Sequence, residues 1–183
     1  MSRLRTAWRA AHTPVHDAPG WAVLAAYAIP ICVLPAGLWR IGAIAFRQSA
    51  GPGEAIYVAF LSVVSELVAF TAVGLVARWG EVVPGWVPGL RGRRIPPWVP
   101  TLAAAAGASA LTALWTAAAV AVVRNRSITG GALADPSAVP WAADDLHSYL
   151  FAACYAPLVL WGPLLGAVTV AYWARRRADG DPL

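Results

Sequence analysis

The sequence predicts an all-α integral membrane protein: a four-helix bundle formed by a single membrane domain over residues 1–183. Three observations predict it. Hydrophobic residues fill 59% of the 183 positions and charged residues only 13%, against about 45–50% apolar and about 25% charged in soluble domains. Mean hydropathy is +0.59. The apolar residues gather into four runs, each long enough to cross a hydrocarbon layer of about 30 Å as a helix. Too few polar residues remain to cover a soluble fold, and a disordered chain would be far more polar.

The spans are expected at about 21–41, 55–78, 98–123 and 147–174. The first is uncharged from Trp21 to Trp39 and holds Pro30 and Pro35. It begins too late and runs too long for a cleavable signal, so it is read as retained. Before it, Leu4 and Trp8 share a helical face beside Arg3, Arg5 and Arg9, which fits a short interfacial helix or a basic tail. The second span contains one charge, Glu66. The third and fourth contain no Asp, Glu or Arg and exceed the length required, which predicts tilt or interfacial ends. Cys32 and Cys154 lie inside apolar runs without zinc or redox spacing and read as packed thiols. Neither cofactor nor metal is expected.

Charge sets the expected orientation. All 14 basic residues are Arg. Ten flank the first span on its amino-terminal side, the second-to-third connection and the end of the fourth span: Arg3, Arg5, Arg9, Arg78, Arg91, Arg93, Arg94, Arg175, Arg176 and Arg177. The other two connections hold Arg40, Arg47, Arg124 and Arg126. The positive-inside rule then places both termini in the cytoplasm of a multi-pass protein in the plasma (inner) membrane. The arginines flank apolar runs and form no long patch, so the net charge of +5 argues for topology and against nucleic acid.

The cytoplasmic connection, 79–97, is rich in Pro and Trp. The heptapeptides PGWVPGL (84–90) and PPWVPTL (96–102) repeat one pattern. Proline removes donors and fixes φ, so no regular helix runs through it. Tryptophan favours headgroup depth. A rigid, turn-rich interfacial segment follows, with Arg91, Arg93 and Arg94 meeting lipid phosphates. It reads as an anchoring loop, a lid or a headgroup site.

Glu66 is the sharpest functional signal. It lies about 16 Å into its span at 1.5 Å per residue, near the midplane. A charged residue at a helix centre costs about 2.5–3.5 kcal/mol, and by default it marks function. Helical spacing places Ala55, Ala59, Ser62, Glu66, Ala69, Val73 and Ala77 on one inward stripe of small residues. Tyr57, Leu61, Val64, Val68 and Leu75 fall towards lipid. Depth matching predicts the neighbours of Glu66: Pro30 and Cys32, then Ser109, Thr112, Trp115 and Thr116, then Tyr155, Pro157 and Trp161. Gly162 and Gly166 allow close approach. Each also has a plain packing role.

A second polar group is expected at the outer rim: Arg40, Glu54, Asp144, Asp145 and His147. Asp144 and Asp145 suit the amino terminus of the fourth helix and Glu54 that of the second, as caps. The paired acids beside His147 equally suit proton transfer or a bound amine, and Arg40 can pair with any of the acids.

Three stretches carry a resemblance: Ser65-Glu66, RWGEVVPGWVPGLRGRRIP (78–96) and YAPLVLWGPLL (155–165). Together they resemble small four-span membrane proteins of high-GC bacteria, which implies the architecture and little chemistry. A weaker similarity is to small integral-membrane terpene cyclases. It implies a neutral acid that protonates an alkene or epoxide, aromatic faces that stabilise carbocations, and a water-free cavity for a prenyl-like lipophile. On that reading Glu66 is the acid, with Asp144 or Asp145 as second acid. Ser109, Thr112, Trp115, Tyr155, Trp161 and Arg40 line the substrate site. Two other readings stand beside it. One is a non-catalytic accessory subunit in which Glu66 bonds to a partner helix. The other is a small homo-oligomeric transporter protonated at Glu66. No G-x-S-x-G, H-E-x-x-H, P-loop or dinucleotide fingerprint is present.

Overall fold

The computed structural model describes residues 17–47, 51–83, 92–124, 146–178 and 180. It contains four helical spans long and apolar enough to cross a membrane, and no strand among the described residues beyond one isolated bridge. The first is α1, Gly20–Arg47, which stays helical through Pro30 and Pro35. The second is α2, Pro52–Thr71, which tightens into a 3₁₀ turn at Ala72–Leu75. The third is α3, Trp98–Val123. The fourth runs from Leu146 to Ala178 as α4, Leu146–Tyr155, a 3₁₀ segment at Ala156–Leu160, and α5, Trp161–Ala178. Pro157 lies within that 3₁₀ segment and Pro163 just after it, and the donors they lack remove bonds a regular helix would need there.

The spans pack in the order α2, α1, α4–α5, α3. Helix α1 touches both α2 and the fourth span. Helix α5 packs on α3, while α2 and α3 share no comparable interface. Small residues set the close contacts. Ala22, Ala26 and Ala36 of α1 are fully buried. A Cβ added at Gly162 would collide with Thr112, whereas one at Gly166 would meet only the Ala108 methyl at 3.8 Å. The G-x-x-x-G pair therefore joins the fourth span to the third within one chain.

The inward stripe of α2 holds at Ser62, Ala69, Val73 and Ala77, all buried, but Ala59 is exposed. Leu75, expected to face lipid, is instead buried. The change of helical pitch at Ala72 rotates it inward, and Ala72 to Ala77 are all buried. Just beyond, Trp79 folds back over Gly74, and a Cβ on Gly80 would strike the Gly74 carbonyl. Glu54 sits in the first turn of α2 but makes no capping bond; Gly51 is the N-cap and Pro52 opens the helix.

Gly162→Ala is expected to lower stability in detergent by about 1–3 kcal/mol, the usual cost of overpacking, while Gly166→Ala changes it little. Thermal unfolding of the two variants checks this contrast.

Candidate functional site

Glu66 lies in α2 one turn before the buried Ala69 and is itself half-buried. Among the described residues it has no hydrogen-bond partner. Its expected partners are elsewhere. Ser109 and Thr112 lie on α3, at the far side of the row, and their hydroxyls donate to their own helix: Ser109 Oγ to Ala105 O at 2.9 Å and Thr112 Oγ1 to Ala108 O at 2.7 Å. Together with Ala113, Thr116, Ala117 and Gly166 they line an open groove between α3 and α5.

The aromatic residues are brought together. Trp161 is buried in one core cluster with Ile29, Val33, Ala69 and Leu158, and Trp115 and Tyr155 pack against it. Tyr155 also stacks on Phe151, centroids 4.3 Å apart. Phe151 meets Trp39, which packs against His147 at 5.0 Å. Arg40 adjoins this rim, close enough to Tyr155 to act on it electrostatically. Arg40 and His147 thus share one end of the molecule, with Glu54 exposed. Asp144 and Asp145 lie outside the described residues. Cys32 and Cys154 are half-buried and unpaired. Among the described residues no three His, Cys, Asp or Glu side chains gather where a metal ion could be held.

The opposite end holds a group that sequence reasoning missed. Arg175 and Arg176, expected as exposed topology markers, are buried. Arg175 donates to Glu81 Oε1 at 2.5 Å and to Leu75 O at 3.3 Å. Arg176 donates to Ile95 O at 3.1 Å and lies 3.6 Å from Glu81 Oε2. Both guanidinium groups flank the Tyr172 ring. The Glu81 segment is tied in turn to the chain entering α3. Ile95 N–H donates to Glu81 O, Val83 N–H to Arg93 O, and Val82 bridges Arg94. One carboxylate thus clamps the second-to-third connection onto the end of α5. The available sequence signal was slight: Glu81 is the one acid in an arginine-rich connection.

No family model, curated protein or solved structure matches the chain.

Removing one partner of a buried ion pair strands the other charge and typically costs about 3–5 kcal/mol. Glu81→Ala is expected to destabilise the protein on that scale. Replacing the whole group by apolar residues of similar volume (Glu81→Leu, Arg175→Met and Arg176→Met) recovers much of the loss. Unfolding in mixed micelles measures both.

Proposed function

We propose that the protein is a non-catalytic membrane subunit that works by lateral assembly, with Glu66 of one copy bonded in the α3–α5 groove of the next. The observation that carries this reading is the separation of donor and acceptors across the row. Glu66 has no partner among the described residues of its own chain, while the groove stands at the opposite side. Their depths match: Glu66 is about four turns from the outer end of α2, and Ser109 about four turns from the outer end of α3. Copies inserted in one orientation bring the two to one level.

The chemistry also matches. The protons of Ser109 and Thr112 are already given to backbone carbonyls, so these oxygens present lone pairs. A neutral carboxyl supplies the donor they need, and neutrality spares the cost of a charge in hydrocarbon. Small residues along the groove allow a neighbouring helix to approach. The contact is heterologous, so it closes into a ring or extends as a chain. The arginine asymmetry supports placing both termini in the cytoplasm and the protein in the plasma membrane.

A second reading, an enzyme acting on a prenyl-like lipophile, draws support from one observation: Trp115, Tyr155 and Trp161 belong to one apolar cluster that also includes Ala69, one turn from Glu66. It requires those packed rings to part and admit a substrate.

In nanodiscs or mild detergent, the wild-type protein is expected to be oligomeric. Glu66→Ala shifts it to monomer, raising the dissociation constant at least about tenfold, the equivalent of about 1.4 kcal/mol. Glu66→Gln, which keeps an N–H donor, retains the oligomer. Light scattering across a dilution series decides. An unchanged assembly in Glu66→Ala removes this reading. A lipophile that co-purifies with wild type and is lost in Glu66→Gln favours the enzyme.

A further inference from the structure

We propose that the arginine-rich end carries a built site for the phosphodiester of one anionic phospholipid, formed by Arg78 and Arg93 and held in shape by Glu81. Among the described residues this end gathers six arginines, Arg78, Arg93, Arg94, Arg175, Arg176 and Arg177, against two acids, Asp17 and Glu81. Both oxygens of Glu81 are taken by Arg175 and Arg176. Arg78 and Arg93 are exposed and make no ion pair among the described residues. Depth is fixed by aromatic residues. Trp98 is half exposed at the start of α3, and Arg177 lies 4.8 Å over the Trp173 ring. Tryptophan and arginine together belong to the headgroup layer, where the phosphate of a lipid is within reach of a guanidinium.

A loose basic segment would attract anionic lipid without selecting a position. Here the arginines are mounted. Arg78 opens the 3₁₀ turn Arg78–Gly80, whose end is fixed by Glu81. The Arg93 carbonyl accepts from Val83 N–H at 3.0 Å, and the Gly92 N–H donates to Val83 O at 3.1 Å. Two residues on, Ile95 is bonded to Glu81 O at 2.8 Å and to Arg176 at 3.1 Å. Gly92 takes φ of 73°, a conformation that favours glycine. Backbones on both sides of the connection are thus bonded to each other, and to α5 through Arg175 and Arg176. A backbone held in this way needs little ordering when its arginines meet a phosphate, which favours selective binding. Phosphatidylglycerol fits: one negative charge on an accessible phosphodiester, with no choline to offset it.

Glu81 gives the test its discrimination. Glu81→Gln makes this end more positive by one charge. Simple attraction then predicts more anionic lipid retained; a site built on the Glu81 clamp predicts less. Purified protein is stripped in detergent, offered equimolar phosphatidylglycerol and phosphatidylcholine, and read by native mass spectrometry. Wild type is expected to retain one phosphatidylglycerol in preference to phosphatidylcholine. Arg78→Gln with Arg93→Gln lowers that retention at least about fivefold, Glu81→Gln also lowers it, and Arg124→Gln, an exposed arginine at the other end, leaves it unchanged. Thermal unfolding of the Arg78/Arg93 double variant, whose side chains hold no other element, confirms that it is folded. The proposal is overturned if Glu81→Gln retains more lipid, if the double variant retains as much as wild type, or if both lipids are retained equally. Displacement of the lipid by millimolar inorganic phosphate would also overturn it, since the site would then recognise free phosphate.

Discussion

Lipid as the solvent is the constraint from which the rest of this structure follows. Hydrocarbon offers helices no hydrophobic reason to associate, so contact must come from close packing and internal hydrogen bonds. The chain meets that demand with small residues. Ala22, Ala26, Ala36 and Ala69 are fully buried, and Gly162 brings α5 against Thr112 on α3. Helix α1 contacts both flanking partners, and the bundle extends as a row from it. Among the described residues Glu66 on α2 makes no hydrogen bond, and the acceptor-lined groove runs along α3, which shares no comparable interface with α2. Assembly is the economical way to satisfy both.

The arginine-rich end obeys a different balance. Two guanidinium groups and one carboxylate lie almost out of contact with solvent, and such groups seldom add stability over apolar packing. Their value here is geometric. Arg175 of α5 donates both to the Glu81 carboxylate and to the Leu75 carbonyl at the end of α2, while the Glu81 backbone carbonyl accepts from Ile95 N–H on the approach to α3. Three spans are thus registered against one another around Glu81 and Arg175.

Much of the fold was legible because hydropathy and length suffice to place a span. The third helix falls on its expected 98–123, and the second starts within three residues of expectation. The buried positions Ser62, Ala69 and Val73 follow from a period of 3.6 alone. What escaped depends on contacts that helical periodicity does not carry. Leu75 is buried where the helix tightens at Ala72 and Trp79 folds back over Gly74, a turn that a period of 3.6 does not foresee. Nothing in a run of three arginines shows that two are buried, because their acid is some 94 positions away. Depth matching put Glu66 level with Ser109 and Thr112 but carried no information on which helices are neighbours. It therefore supplied a level without an adjacency.

The central claim is that Glu66 and the α3–α5 groove meet between copies and not within one. Disulfide trapping tests it directly, in a background with Cys32→Ala and Cys154→Ala. Val63→Cys stands beside Glu66 on exposed α2, and Ala113→Cys lies in the groove about one turn outward from Ser109, at matching depth. Co-expression of the two single variants in one membrane is predicted to give a crosslinked dimer on oxidation, with little from either alone. A dimer formed by Val63→Cys alone, with none specific to the mixed pair, would contradict the account.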